Sequence, residues 1–296
     1  MTQKRWSIQQ ILHVTAEFLR DKGIDSPRIC AEVLLAHELK KSRVELYLSF
    51  DRPLSSEEIA GYRSLIKRRL RREPPQYITG RQEFWSLDFF VSPAVLIPRA
   101  ETELLVEEAI KLGERNLLSD NSKPRILDLG TGSGAIAISL AKEIETATVW
   151  ASDISFEALA VARTNAKHHN LDRRIKFCQG DLWQPFSKTT SLFDMVISNP
   201  PYIATEAFKS LPPEVRYYEP KIALDGYEHG MHFIKKIIEQ SGIYLKPGGW
   251  LLIEMDPDQT ERALCLIDAT QSFTHKERLM DYQKKYRLVK AQKENG

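Results

Sequence analysis

The tetrapeptide Asn199, Pro200, Pro201, Tyr202 is the stretch whose residue types dictate a specific chemistry. Two consecutive prolines fix φ and remove two backbone donors, leaving carbonyls that can only accept hydrogen bonds. The Asn199 side-chain oxygen and the Pro200 carbonyl can each take one hydrogen of a planar NH2 group, with the Tyr202 ring as a flat face for it to lie against. A substrate amide, the exocyclic amine of a base or an amidine all match that frame. The plain alternative is a strand-to-loop turn, because Asn-Pro is a common turn former. The apolar run FDMVIS at 193–198 reads as a buried parallel strand, so the tetrapeptide lies at a strand's carboxyl end, where open α/β sheets bind ligands.

A second constellation starts at Asp128 and continues through Gly130, Thr131, Gly132, Ser133 and Gly134, between a short apolar strand at 126–129 and a helix from 135 to about 142. Such a glycine turn lets backbone approach a ligand closely and presents helix-start N–H groups to it. The P-loop pattern that holds a nucleotide triphosphate with its lysine is absent. Asp153, 25 residues beyond Asp128, ends the next strand and is placed to accept both hydroxyls of a ribose. A dinucleotide and S-adenosylmethionine satisfy that logic equally. After a third strand at 175–178 come Asp181, Leu182 and Trp183; a carboxylate and a large ring at a strand end can hold an adenine, although core packing also accounts for Trp183. The tetrapeptide at 199–202 follows the fourth strand, in line with that cofactor pocket. A dinucleotide enzyme has no use for it there, whereas a methyltransferase does.

Two further clusters carry charge. Arg99 can meet a carboxylate of a bound ligand, but an ion pair with Glu101 or Glu103 is what pattern alone favours. Lys67, Arg68, Arg69, Arg71 and Arg72 place five cations in six positions near a helix carboxyl end. They read as a solvated helix face completing the dipole, with weak phosphate contact as the alternative.

The elements that position these residues fall into three stretches. Residues 1–75 are helical in pattern: Ile8, Ile11, Leu12, Ala16 and Leu19 share a face, Ser26 and Pro27 open a second helix, an apolar segment spans 44–50, and Ser55 or Ser56 starts a fourth helix. Four short helices with short loops predict a small bundle. Residues 76–98, with Tyr77, Ile78 and Thr79 followed by Phe84, Trp85, Leu87, Phe89 and Phe90, change to a period of two and predict a hairpin linker. From 99 to 296, strands alternate with helices: a parallel sheet is expected, finished by a helix near 259–267 and two last strands at about 270–279 and 286–291. The segment at 202–219 reads as a polar loop long enough to act as a substrate-facing lid.

Composition narrows the class. A chain of 296 residues can hold one large domain and a small one, and a formal charge of +2 gives no global basic excess for a duplex-binding surface. Cys30, Cys178 and Cys265 make no metal-ligand spacing and fit a reducing cytosol. The opening MTQKRWSIQQ lacks the apolar core of a signal peptide, and no uncharged apolar run approaches membrane-spanning length, so a cytoplasmic protein is expected.

Taken together, the residues from Asp128 to Gly134, Asp153, Asn199 to Tyr202 and above all LIPRAETE at 96–103 resemble the HemK/PrmC family of protein-(glutamine-N5) methyltransferases of peptide-chain release factors. The similarity runs from the amino-terminal helices to the carboxyl-terminal hairpin. The glycine and NPPY signals are shared with many amino-methyltransferases; VLIPRAETE behind a helical domain is far more specific. The resemblance implies an α/β fold: a class I Rossmann-like domain, with a mostly parallel seven-stranded sheet and a carboxyl-terminal antiparallel hairpin, preceded by a small helical bundle. It implies S-adenosyl-L-methionine as cofactor, release factors as protein substrates methylated at the glutamine of a Gly-Gly-Gln loop, and a helical domain that helps to hold the release factor. Asn199, Pro200 and Tyr202 become the expected catalytic residues, with Pro201 at the substrate. Gly130, Thr131, Gly132, Ser133, Gly134, Asp153, Asp181, Leu182, Trp183, Asn199 and Arg99 become the expected cofactor contacts, and no metal is expected. Ala100 departs from the frequent IPRPETE proline, and Glu254-Met-Asp-Pro-Asp-Gln stands where Glu-Ile-Gly is more usual.

Two rival readings remain open on the residues. A methyltransferase acting on DNA adenine or a ribosomal RNA base would present a planar NH2 to the same tetrapeptide; near-neutral charge and VLIPRAETE argue against it, and the cations at 67–72 argue for it. A cofactor-binding module that has lost catalysis is opposed by the intact Asn199 and glycine turn.

Overall fold

The computed structural model of the chain describes residues 6–113, 123–188 and 192–295. The first five residues of the polar opening, on which the signal-peptide expectation rests, lie outside them. The chain divides into two compact units, one of residues 1–81 with 212–218, the other of residues 82–211 with 219–296. Among the described residues no helix is long and apolar enough to cross a membrane.

The first unit is a helical bundle of α1 (Ile8–Asp21), α2 (Pro27–Leu39), α3 (Arg43–Leu48), α4 (Ser56–Leu70) and α5 (Pro75–Thr79). Capping boxes start three of these helices: Ser7 with Gln10, Ser42 with Glu45 and Ser55 with Glu58 each satisfy two orphan backbone donors reciprocally. Ser26 departs from the expected cap. It lies in the left-handed region at φ 47°, its side chain caps nothing, and Pro27 alone pre-sets the first turn of α2. Ile8, Leu12, Leu19, Leu34, Leu35, Leu46 and Tyr62 fill the core.

Tyr77, Ile78 and Thr79 form the short helix α5, which Pro75 opens and Gly80 ends in the left-handed region, and they are not strand. The segment at 202–219 is not an open loop: it forms a 3-10 turn, Thr205–Ser210, and a short helix, Pro213–Tyr218 (α9 in chain order), which belongs to the bundle unit. There Glu214 meets Arg69 at 2.7 Å, and the Tyr218 hydroxyl donates to the Arg71 carbonyl at 2.6 Å. The cation cluster is accordingly no free face. Arg69 is 4% exposed, Arg72 shares Glu214 and donates to the Gly23 carbonyl, and Arg68 pairs with Glu73.

The second unit opens with the hairpin β1 (Arg81–Phe84) and β2 (Leu87–Phe90), whose Phe84, Leu87 and Phe89 are buried in this unit's own core, so the hairpin is part of it and no mere linker. Its two turn residues, Trp85 and Ser86, both have positive φ (51° and 53°), and Glu103 accepts the Trp85 amide at 2.8 Å. Val95, Leu96 and Ile97 form no strand; a 3-10 turn at Ala100–Thr102 leads into α6 (Glu103–Leu112). Then follow β3 (Arg125–Leu129), α7 (Ala135–Glu143), β4 (Thr148–Asp153), α8 (Phe156–His168), β5 (Ile175–Gln179), β6 (Phe193–Ser198), α10 (His232–Tyr244), β7 (Leu245–Glu254), α11 (Thr260–Thr270), β8 (Phe273–Met280) and β9 (Tyr286–Lys293).

The sheet runs β5-β4-β3-β6-β7-β9-β8, with β9 antiparallel to its two neighbours and the remaining pairs parallel. One core layer takes α6, α7 and the hairpin; the other takes α10 and α11. With both faces covered, the central strands are continuous apolar runs. The class I architecture expected from the sequence is the one observed.

Candidate active site

In this sheet order the direction of winding reverses between β3 and β6, and the crevice outside the carboxyl ends of the strands at such a switch is where open α/β sheets bind ligands. Register sets those ends level. Leu129 lies beside Ser152 on one side and Ser198 on the other, and the buried Ser198 hydroxyl donates to the Leu129 carbonyl at 2.8 Å. A cleft of about 430 Å³ opens there, walled by Gly130, Gly132, Asp153, Asp181, Leu182, Asn199 and Pro201 among others. Seven of the positions singled out from sequence thus converge on one cavity.

The glycine turn is shaped by two requirements. Gly132, at φ +55°, has nothing within 4 Å of where a Cβ would stand, so the backbone there faces open space. Gly134, at φ +83°, would drive a Cβ to 3.2 Å from Ala162 and 3.0 Å from Ile138; its role is the close approach of α7 to α8. Thr131 and Ser133 turn inward and do not line the cleft. The Thr131 hydroxyl donates to Asp128 Oδ2 at 2.6 Å, and the Ser133 carbonyl accepts from Asn165, whose amide also exchanges two hydrogen bonds with the Phe90 backbone. Asp128 is buried, and desolvation pushes its carboxyl up to about 7.

Asp153 accepts the Gly132 amide on Oδ2 and the Ser155 amide on Oδ1, each at 2.9 Å. These bonds aim the carboxyl along the cleft wall and leave each oxygen a further lone pair. Desolvation raises its pKa against those two amides.

At the tetrapeptide, Asn199 Nδ2 donates to the Thr102 hydroxyl at 3.0 Å. Among the described residues no donor meets Asn199 Oδ1, which keeps that oxygen for a ligand. Pro200 is buried and does not line the cleft; nor does Tyr202. Burial raises the Tyr202 phenol, with the negative charge of Glu254 acting in the same direction. The Tyr202 carbonyl accepts from Gln259 Nε2 at 2.8 Å, and the same amide group reaches the His229 carbonyl at 3.1 Å, so Gln259 ties the backbone after the tetrapeptide to a neighbouring turn.

Besides Thr131, Ser133 and Gly134, two more of the expected cofactor contacts, Trp183 and Arg99, lie off the cleft wall. Trp183 is 3% exposed and stacks on Tyr244 with ring centroids 4.5 Å apart, so its ring belongs to the core. The cleft offers Ile154, Leu182 and Phe233 as apolar walls instead. Arg99 pairs with the buried Glu219, which also accepts the Ile97 amide, and with neither Glu101 nor Glu103; it braces the LIPRAETE segment from outside the cleft. Sequence reasoning passed over Ile154, Phe233 and Thr102. Only Ile154 left a local signal, an apolar residue directly after the strand-end Asp153. Among the described residues no cluster of His, Cys, Asp and Glu could hold a metal ion.

Known proteins resemble the chain along most of its length. The family described as PrmC N-terminal domain matches residues 10–80, and Methyltransferase small domain matches residues 106–211. A release factor glutamine methyltransferase of Geobacter sulfurreducens is 43% identical over 272 residues, covering 91% of this chain and 92% of that protein. One of Chlorobaculum tepidum is 40% identical over 284 residues, covering 95% and 96%. Among solved structures, the T. thermophilus 16S rRNA methyltransferase RsmC, in complex with AdoMet and guanosine, superposes with a TM-score of 0.51 at 17% identity, covering 72% of this chain and 49% of that one. This last likeness is one of fold.

Proposed function

This chain belongs to the release factor glutamine methyltransferase family, and from that premise we propose that it methylates the side-chain amide nitrogen, N5, of the glutamine in a release factor's Gly-Gly-Gln loop. The observation that carries the site assignment is the unmatched Asn199 Oδ1 at the cleft wall, held outward by the bond from Nδ2 to Thr102. It offers an acceptor to an NH2 group and no donor.

The cofactor is S-adenosyl-L-methionine, and the residues present suit it. Gly130 and Gly132 give backbone without side chains at the wall, Asp153 has lone pairs for a ribose, and Asp181, Ile154, Leu182 and Phe233 suit an adenine. When bound, the cofactor supplies an electrophilic sulfonium methyl group.

A glutamine amide nitrogen is a weak nucleophile because its lone pair is delocalised into the carbonyl. Asn199 Oδ1 accepts one of its hydrogens and favours pyramidal character at nitrogen; Pro200 and Tyr202, which stand behind the cleft wall, can act on the amide only through their backbone carbonyl and ring if the substrate glutamine reaches past Asn199 and Pro201. The nitrogen would gain the methyl group as that group's bond to sulfur breaks, leaving a neutral thioether, and would release one proton to solvent water. No general base stands in the tetrapeptide, so orientation and fixed dipoles do the work, and effective molarity can supply about 7 kcal/mol. The bundle unit is assigned to holding the release factor, in the cytoplasm. Arg68, Arg69 and Arg72 are already paired within the bundle, which disfavours a nucleic-acid role for their cluster.

The test is to incubate the protein with labelled cofactor and, separately, a release factor, its Gln-to-Ala loop variant, total RNA and DNA. Label in the release factor alone, lost with the glutamine, is the expected result. Label in RNA or DNA would favour a nucleobase substrate instead.

A further inference from the structure

The Tyr202 ring does not line the cleft, so the wall that Asn199 and Pro201 share takes its aromatic face from another element. That element is the 3-10 turn before α10, Glu228–Gly230, and the residue that enters it, Tyr227. Tyr227 lines the same cleft and is 51% exposed. Its backbone, at φ 58° and ψ −143°, lies close to the region that essentially only glycine occupies without strain. A second hollow of about 740 Å³ adjoins the cleft, and Tyr227 and His232 line both, which puts the ring at the rim where the cleft meets the surface.

Bonds to the chain that leaves the tetrapeptide hold this strained residue in place. The Tyr227 amide donates to Asp225 Oδ1 at 3.0 Å, and the same oxygen accepts from the Thr205 hydroxyl at 2.7 Å. The Tyr227 carbonyl accepts the Thr205 amide at 3.2 Å and the Gly230 amide at 3.0 Å, while the Gly226 amide donates to the Ile203 carbonyl at 2.8 Å. The ring rests edge-on against His232 and at a tilt against Phe233, with centroids 5.0 and 5.7 Å apart. Nothing in these backbone bonds needs a ring. A glycine would make all of them without strain, so the tyrosine is to be explained by what its exposed face meets.

We propose that Tyr227 is a substrate-positioning residue of this enzyme: the glutamine side chain enters across its ring, which covers the two methylenes and keeps water from the amide while Asn199 Oδ1 accepts one of the amide hydrogens. An aromatic face suits a side chain made of two CH2 groups ahead of a planar amide. The competing use of the ring is contact with the cofactor. Asp153, Ile154, Asp181 and Leu182, which suit the cofactor, end β4 or follow β4 and β5, whereas Tyr227 is bonded to the chain after β6 and stands at the rim that a loop of another protein must cross.

The inference rests on the glutamine reading above, and its test separates the two. Tyr227→Gly removes the ring and the strain together, so a role in substrate binding and a role in the fold give opposite results. Methylation is followed at saturating cofactor with the release factor concentration varied. Tyr227→Gly raises the half-saturating concentration of release factor by about tenfold or more, Tyr227→Phe keeps it within about twofold, and calorimetric cofactor affinity stays within about twofold in both. The melting temperature of Tyr227→Gly does not fall below that of the wild type, because glycine is at ease at this φ. A wild-type half-saturating concentration in Tyr227→Gly, a loss of cofactor affinity in its place, a lowered melting temperature, or a Tyr227→Phe enzyme as impaired as Tyr227→Gly overturns the proposal. If the wild type methylates no release factor, the glutamine reading fails, and calorimetric titration of release factor into the enzyme loaded with S-adenosylhomocysteine decides the inference on binding alone. A complex about tenfold weaker in Tyr227→Gly supports it; an equal complex, or none with the wild type, overturns it.

Discussion

Asn199 Nδ2 donates to the Thr102 hydroxyl, and the acceptor this leaves at Oδ1 sets the residue-scale predictions. Asn199→Ala removes the acceptor without touching the glycine turn; single-turnover transfer is expected to fall by about 100-fold or more while calorimetric cofactor affinity is kept. Asp153→Ala does the reverse, weakening cofactor binding by about tenfold or more through the loss of a carboxylate that the Gly132 and Ser155 amides hold in place; unchanged affinity would reject the ribose assignment. Both residues lie on the cleft wall, where their positions at strand ends in the sequence suggested they would be. Trp183 and Arg99 do not. A ring after a strand serves an adenine or a core equally, and Trp183 was decided by Tyr244, a partner remote in sequence. Arg99 was likewise decided by Glu219, far from the nearby Glu101 and Glu103 that its local pattern suggested.

Among the elements, glycine geometry carries the sharpest expectations. Gly134→Ala forces a Cβ at φ +83° against Ala162 and Ile138, and should destabilise the catalytic unit by about 1–3 kcal/mol in denaturant titration. Gly230→Ala is more disruptive, because its Cβ would land on the Tyr202 carbonyl and on the Gln259 amide that bonds it; activity should fall along with stability. The long helices and the buried parallel strands were readable from period and breakers. The helix at Pro75–Thr79 was not, since a short apolar run fits strand and helix alike and only its packing in the bundle selects one. The hairpin tip also escaped local rules: Trp85 and Ser86 take left-handed angles without an Asn-Gly pair, and Glu103 compensates by accepting the Trp85 amide.

For the whole molecule, buried carboxyls set opposing pH dependences in the two units. Glu32 in the bundle is desolvated, but hydrogen bonds from Tyr47, Arg43 and Arg28 outweigh that and hold it below its ordinary range. Its contribution is therefore present above the unfolded carboxylate pKa and is lost as pH falls through the depressed folded value. Because its arginine partners are partly exposed, Glu32→Ala should cost the bundle about 2–3 kcal/mol at neutral pH, measured by denaturant titration. Asp128 and Glu254 have the opposite sign. Raised to about 7, they favour the folded catalytic unit fully below the ordinary carboxylate range, and that contribution is lost as pH rises towards 7; calorimetry across this window should show its melting temperature falling, and less steeply in Glu254→Gln. The division of the chain into a helical and an α/β part was visible in the change of period, but the return of Pro213–Tyr218 to the bundle was not, because it rests on Glu214 meeting Arg69 across a long stretch of chain. The most direct test of the central claim is tandem mass spectrometry of a release factor after incubation with cofactor and this protein. One methyl group is expected on the side-chain amide of the Gly-Gly-Gln glutamine, lost when Asn199→Ala replaces the wild type; a methyl group on another residue, or an Asn199→Ala enzyme as active as the wild type, would contradict the assignment of Asn199 and of the glutamine substrate.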